Sequence, residues 1–274
     1  MTAKDSAAEL LVARIDDAIG KAEKGTVASL PFLTPRDASR AKRELQMRGM
    51  LGQAYFFGGY PDAERVCLFL LPDYLLAYPE EQEEGEDDTR QLSELFGDEI
   101  KESVSALRIT GSGFCKLTHR DYLGAILGLG LERDAIGDVA VQNDHEAVVF
   151  CPSRLIPFFK ENLLKVARDS VRCTEYTVDE HFTDGRSYAP ISTTVASARL
   201  DCIVAALTNL SREAAQSTIR ACSVEVNFEE TDRVDLLLAP PATISIRGHG
   251  RFILRAFEGE TRKGRMRLRA DKLI

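Results

Sequence analysis

Between Ala106 and Val178 the apolar residues change period in an order that few topologies can satisfy. Ala106-Leu107-Arg108-Ile109-Thr110 reads as a strand and Thr118 to Leu129 as a helix. Asp138 to Val141 and Ala147 to Phe150 then read as strands, Ser153 to Arg168 as a helix and Val171 to Val178 as a last strand. The order βαββαβ is the ferredoxin-like arrangement, shared by many RNA-binding domains and by many other proteins, so it says little about function by itself. In its first helix Thr118 can cap with Asp121 three residues on, and Gly124 and Gly128 leave a smooth face for close packing.

The flanks of this segment differ from it in composition. Glu80 to Asp88 (EEQEEGEDD) has seven acids in nine residues and almost nothing to bury, so it predicts a solvated loop. Phe182 to Ser197 is rich in Gly, Pro, Ser and Thr without an apolar period, which predicts a linker. Before the acidic run, residues 6–24 place Leu11, Ile15, Ala18, Ile19 and Ala22 on one helical face. Thr34-Pro35-Arg36-Asp37 announces a second helix ended by Gly49, and Gln53 to Phe57 and Val66 to Leu71 read as strands around Gly58-Gly59. The expected class is therefore α+β: an N-terminal α+β domain (1–78), an acidic loop (79–95), a ferredoxin-like, RRM-like domain (96–181), a linker (182–197) and a C-terminal domain (198–274).

Charge is divided unevenly among these parts. The whole chain carries −8, but residues 1–194 hold 22 Lys+Arg against 33 Asp+Glu, a balance of −11, while residues 195–274 hold 13 against 10, a balance of +3. Arg247 to Lys272 contains nine basic and three acidic residues. Such asymmetry points to a polyanion facing the C-terminal part, with a merely soluble tail as the rival. No run of eighteen apolar residues occurs, and the N-terminus fits neither a signal nor a transit peptide, so a cytoplasmic protein with no membrane partner is expected. The six cysteines (67, 115, 151, 173, 202 and 222) form no CxxC pair and have no histidine at ligand spacing, so buried reduced thiols are expected and no metal.

In the C-terminal part, Ser197 can cap a helix with the stripe Leu200, Ile203, Val204 and Leu207, and Ser211 can cap a second helix running to about Ala221. Arg212, Gln216 and Arg220 fall at i, i+4 and i+8 on the outer face of that second helix. Short strands follow at 224–226, 243–246 and 251–254. Arg265-Met266-Arg267-Leu268-Arg269 then alternates strictly, which puts three arginines on one face of a strand. The spacing of residues 199–227, RLDCIVAALTNLSREAAQSTIRACSVEVN, resembles the ribosomal-protein S-four (alpha-L) type of RNA-binding domain. Two short helices side by side project Arg199 and Arg212 where guanidinium forks can clamp phosphates. This sequence departs from that pattern at Cys222, where a helix-ending glycine is usual, and at Pro241-Ala242, which replace Gly-Asp. Rival readings stay open: an ion pair with Asp201 or another acid for Arg199, a plain helix-surface arginine for Arg212, and a solvated edge-strand face for Arg265, Arg267 and Arg269.

Three catalytic-looking motifs lack their companions. His119-Arg120-Asp121 resembles a kinase catalytic loop, but no glycine-rich strand loop or Asp-Phe-Gly accompanies it. Arg199-Leu200-Asp201 resembles a pseudouridine synthase motif without the large catalytic domain, and Asp201 reads better as a helix-turn residue. Gly58-Gly59 has no following Lys-Ser/Thr for phosphate binding. With four scattered histidines and no local nucleophile pair, no catalytic residues and no cofactor are expected.

FGGYPDAER (57–65), THRDYLGAILGLGLERDAIGD (118–138), RGHGRF (247–252) and EGETRKGRMRLR (258–269) resemble the bacterial YlmH family over nearly the full chain. That resemblance implies an N-terminal unit, a central domain assigned to RNA binding and an S-four domain, in a family linked to cell division and, in cyanobacterial relatives, to photosystem II. Apart from the resemblance, a monomer is expected; the resemblance further implies a non-enzymatic factor of the large ribosomal subunit in ribosome-associated quality control. There the S-four domain binds ribosomal RNA and peptidyl-site tRNA, with no DNA partner, while an obstructed nascent chain is tailed without a template. The RNA-contacting candidates are Arg199, Arg212, Gln216, Arg220, Arg247, Arg265, Arg267 and Arg269. An RNA-modifying enzyme that docks through the S-four domain and a division-associated scaffold are the alternatives.

Overall fold

The computed structural model describes residues 3–75, 103–179 and 181–274; the expected acidic loop at 79–95 lies outside them. Among the described residues the chain is a mixed α+β protein with three antiparallel sheets and six α-helices, divided into two units, Met1–Gly185 and Arg186–Ile274. None of these helices is long and apolar enough to cross a membrane.

The first unit opens with α1 (Ala3–Ala22), β1 (Ala28–Leu33), α2 (Pro35–Met47), β2 (Ala54–Phe57) and β3 (Val66–Leu70), whose strands form an antiparallel sheet in the order β1-β3-β2. Thr34 caps α2 by accepting from the Asp37 N–H at 3.2 Å, with Pro35 in the first turn. The run Val66 to Leu70 is apolar throughout because both of its faces are buried. Leu68 and Leu70 pack with Leu11, Ile15 and Leu45 of the helices, while Cys67 and Phe69 pack on the other side. Strand β1 has no counterpart in the sequence reading. Pro31 removes a backbone donor in its middle, and the pairing with β3 shifts between Leu30 and Leu33, which an edge strand tolerates.

The rest of this unit runs β4 (Ser105–Gly111), α3 (His119–Leu127), β5 (Val139–Asn143), β6 (Glu146–Cys151), α4 (Ile156–Asn162), β7 (Lys165–Val166) and β8 (Asp169–Tyr176), with sheet order β5-β6-β4-β8-β7. The helix expected over 153–168 is shorter, because the chain turns at Leu163 into a small hairpin, β7 with the start of β8. The Asp121 carboxylate accepts from the Thr118 N–H at 2.8 Å and closes the start of α3. The smooth packing face expected at Gly124 is not used: a Cβ there would meet nothing within 4 Å.

A single apolar cluster joins the two sheets of this unit. Phe32, Tyr55, Tyr60, Cys67 and Phe69 meet Ala106, Ala140, Val148 and Phe150 on the side of the larger sheet away from α3 and α4. A buried polar latch lies beside it. Asp138, 8% exposed, accepts from Tyr60 Oη (2.8 Å), the Glu64 N–H (2.7 Å) and the Arg65 N–H (3.2 Å). Arg65, also 8% exposed, donates to the carbonyls of Phe32, Arg133 and Ile136. Burial lowers the Arg65 guanidinium to about 10, so it stays charged at neutral pH. Gly59, at φ +102, lies flat on the Phe150 ring, and a Cβ there would sit 2.1 Å from a ring carbon. The motif FGGYPDAER thus supplies packing and latch contacts.

The second unit contains β9 (Tyr188–Val195), α5 (Leu200–Thr208), α6 (Arg212–Arg220), β10 (Val224–Val226), β11 (Glu229–Glu230), β12 (Ala242–Ile246), β13 (Gly250–Glu260) and β14 (Met266–Leu273). Its sheet has the order β11-β10-β12-β13-β14-β9. The expected linker is corrected here: Tyr188 to Val195 pair with β14 along their whole length, while Phe182 packs on Tyr60 and Phe150 of the first unit. Both helices lie on one face of the sheet, where Leu200, Ile203, Val204 and Ile219 meet Ile244, Leu254, Leu268 and Ala270.

The expectation of buried thiols holds for Cys67 and Cys151, each pushed up to about 12 by burial. It fails for Cys222, which is exposed and has φ +50, the left-handed conformation that glycine adopts more cheaply.

Candidate nucleic-acid interface

The start of α5 is braced by its surroundings and not by the expected Ser197 cap. Arg199 occupies the N-cap position, and the Leu200 and Asp201 N–H groups donate to the carbonyls of Leu236 (2.8 Å) and Val234 (3.1 Å). Ser211 caps α6 as expected, accepting from the Ala214 N–H at 3.1 Å. The two helix starts are thereby fixed side by side in one unit.

Asp201 binds them together. It is 0% exposed, and its carboxylate accepts from Arg199 Nε (3.1 Å), Arg212 Nε (3.0 Å), Gln216 Nε2 (2.8 Å) and the Cys202 N–H (3.0 Å). Burial by itself would raise its pKa. The hydrogen bonds from Arg199, Gln216 and Arg212, with the Arg212 charge, outweigh this and hold the carboxyl well below the usual carboxylate range. A carboxylate at this position inside an apolar stripe, Leu200-Asp201-Cys202-Ile203-Val204, was the available sequence signal for a buried organiser.

The ion pair weighed as a rival reading for Arg199 is therefore present, and Arg212 shares it. It does not exhaust either side chain. Arg199 donates through Nε and Nη2, leaving Nη1, and Arg212 donates through Nε, leaving both Nη groups without a bond among the described residues. The Arg212 side chain is 58% exposed and that of Arg199 is 35% exposed. The inner edge of each guanidinium is thus fixed while outer N–H groups face solvent, an arrangement suited to a phosphate oxygen.

The eight candidate residues do not form one cluster. Arg199, Arg212 and Gln216 meet at Asp201, and Arg220 lies exposed one turn beyond Gln216 on α6. Arg247 lies exposed in the turn between β12 and β13. Arg267 and Arg269 alternate with the core residues Leu268 and Ala270, so they face away from both helices. Strand β14 is paired on both sides, by β13 and β9, so the edge-strand explanation for its arginines is ruled out. Arg265 donates to the Thr194 side chain and carbonyl, and Arg269 pairs with Glu258 at 2.9 Å.

Residues 103–180 match the family model described as "Putative RNA-binding domain in YlmH". The chain is 25% identical over 245 residues to the "Ribosome-associated protein quality control protein P2" of Bacillus subtilis (strain 168), covering 88% of this chain and 85% of that one. A solved structure, "Cell division protein ylmH from Streptococcus pneumoniae", is 21% identical and covers 64% of this chain and 93% of that chain, with a TM-score of 0.47. The family-model match in the central segment and a relative that spans most of the chain agree with the motifs at 57–65, 118–138, 247–252 and 258–269: the central segment matches the YlmH-family domain, and the chain as a whole is similar to that family.

Proposed function

We propose that this protein is a non-enzymatic, cytoplasmic RNA-binding factor that acts as a monomer on the large ribosomal subunit. In this reading it binds ribosomal RNA and peptidyl-site tRNA during quality control of stalled nascent chains. The observation that carries it is the carboxylate of Asp201, which holds Arg199 and Arg212 by their inner edges at two adjacent helix starts and leaves outer N–H groups exposed. The name of the Bacillus subtilis relative supports the ribosomal setting, and the matched central segment supports RNA as the ligand.

In the same reading residues 198–274 are the S-four-type domain, the central segment is ferredoxin-like, and Gln216, Arg220, Arg247, Arg265, Arg267 and Arg269 add weaker phosphate contacts. The strand order of the central sheet and the helix pair with its sheet are compatible with both assignments. Such a factor needs no bond-making residues: binding one RNA arrangement preferentially raises its population.

Co-sedimentation with purified large subunits tests the proposal. Arg199→Ala with Arg212→Ala should weaken binding by several kcal/mol, at roughly 1.5–3 per charged hydrogen bond lost. Circular dichroism would establish that the variant is folded. A folded double variant that sediments with large subunits like the parent chain would refute it.

A further inference from the structure

Four-stranded RNA-binding sheets of the βαββαβ kind take RNA on the open face, where aromatic side chains stack on bases. In this chain much of that face is covered. Ala106, Ala140, Val148 and Phe150, which line the side of the sheet away from α3 and α4, are buried against Phe32, Tyr55, Tyr60 and Phe69. Phe182 lies over Phe150 and Tyr176 with ring centroids 5.6 and 6.1 Å apart. An RNA contact in this unit therefore has to be made elsewhere.

One end of the sheet has the required chemistry. The loop between β4 and α3 carries Phe114 at its tip, 87% exposed. The chain is pinned on both sides of this ring. Before it, the Ser112 N–H donates to the Ser170 carbonyl at 3.1 Å and the Ser112 hydroxyl donates to the buried Asp169 carboxylate. After it, His145 Nδ1 lies 3.1 Å from the Cys115 carbonyl, and the side chain of Leu117 is in the core. Gly113, at φ +87 with open space around it, makes the turn that directs the ring outward.

The contacts of Ser112 also tie this loop to the β7–β8 hairpin. There Lys165 and Arg168 are exposed, with Arg172 opposite Thr110 close by, and these three cations make no ion pair among the described residues. Lys116 is neutralised by Asp144 at 2.7 Å. A fixed, exposed aromatic ring beside unpaired cations, in a part of the chain that is otherwise acidic, suits single-stranded nucleic acid.

We propose that this end of the sheet is a second RNA contact, on which Phe114 stacks with an unpaired base while Lys165, Arg168 and Arg172 neutralise the flanking phosphates. The proposal rests on the reading of the protein as an RNA binder. Because the ring is already held outward, little ordering entropy is lost when a base stacks on it.

The chain contains no tryptophan, so Phe114→Trp places a single indole reporter at the loop tip. Titrating the full-length variant with a twelve-nucleotide oligouridylate should quench its emission. Phe114→Ala should weaken binding of the same labelled oligonucleotide about tenfold or more, and Phe114→Tyr should restore it. Unquenched emission, or undiminished affinity of Phe114→Ala, overturns the proposal. If Arg199→Ala with Arg212→Ala still lowers large-subunit binding in that case, the functional reading survives alone. A Phe114→Ala variant that keeps its RNA affinity but no longer captures ribosomal proteins stripped of RNA makes the loop a protein contact, which also overturns the proposal.

Discussion

Asp138 in the first unit and Asp201 in the second are both buried carboxylates that gather hydrogen-bond donors, yet their surroundings differ in direction. Around Asp138 the donors are Tyr60 and the backbone of Glu64 and Arg65, and the Arg65 guanidinium is spent on three backbone carbonyls. The side chains of Tyr60, Arg65 and Asp138 are all buried. Around Asp201 the donors are side chains from two helix starts, and the arginines bind it by one edge while their other N–H groups meet solvent. A buried carboxylate therefore closes a packing interface in one unit and holds a cationic surface in the other. What separates the two uses is whether the guanidinium itself reaches solvent, as Arg199 and Arg212 do and Arg65 does not, which burial of the carboxylate alone does not reveal.

Removing each carboxylate should separate the two roles. The largest expected effect is on stability: Asp138→Ala leaves the Tyr60 hydroxyl and two backbone N–H groups without their acceptor and removes a negative charge near the buried Arg65 guanidinium, and should cost about 3–5 kcal/mol in urea unfolding of the first unit. RNA affinity of the remaining folded protein should be unchanged. A loss below about 1 kcal/mol would show that the carbonyls alone satisfy Arg65.

Asp201→Asn should cost less stability, about 1–3 kcal/mol, because the released arginines can reach water. It should also reduce RNA affinity, since the guanidiniums are no longer aimed; full RNA affinity in this variant would break the comparison.

The pH dependence follows from the depressed pKa of Asp201. A carboxylate whose folded pKa lies below its unfolded value of about 3.9 contributes stability that is fully present above that value and is lost as pH falls through the folded pKa. The stability gap between the parent chain and Asp201→Asn should therefore be constant from pH 7 to about 5 and should narrow in stronger acid. A gap that widens on acidification would contradict the assigned direction.

The smallest effect concerns the end of α6. Cys222→Gly should stabilise the second unit by about 0.5–1 kcal/mol by relieving the left-handed conformation, as read from a shift in the thermal midpoint.

Much of this was readable from residue order, and the failures share a cause. The helix starts at Thr34, Thr118 and Ser211 follow from capping residues, and the βαββαβ order follows from apolar period. The two overlooked longer strands, β1 and β9, lie at sheet edges and carry Pro31 and Pro190, so composition argues against them and only tertiary pairing reveals them. Overlooking β9 had a functional consequence, because it left the arginines of β14 looking like edge protection. Arg199 and Arg212 were legible as a motif. The role of Asp201 was not, because it depends on bringing together residues 201, 212 and 216 from different helices, and sequence spacing along one helix does not express that.

The most direct test of an outward-facing Asp201 centre is the slope of log affinity against log salt for full-length protein on one fixed RNA. If Arg199 and Arg212 each neutralise a phosphate, replacing both with alanine should make the slope shallower by roughly 1.4–1.8, at about 0.7–0.9 per phosphate contact. An unchanged slope, with a folded variant, would mean that both arginines serve only the ion pair with Asp201, as Arg65 serves only its latch.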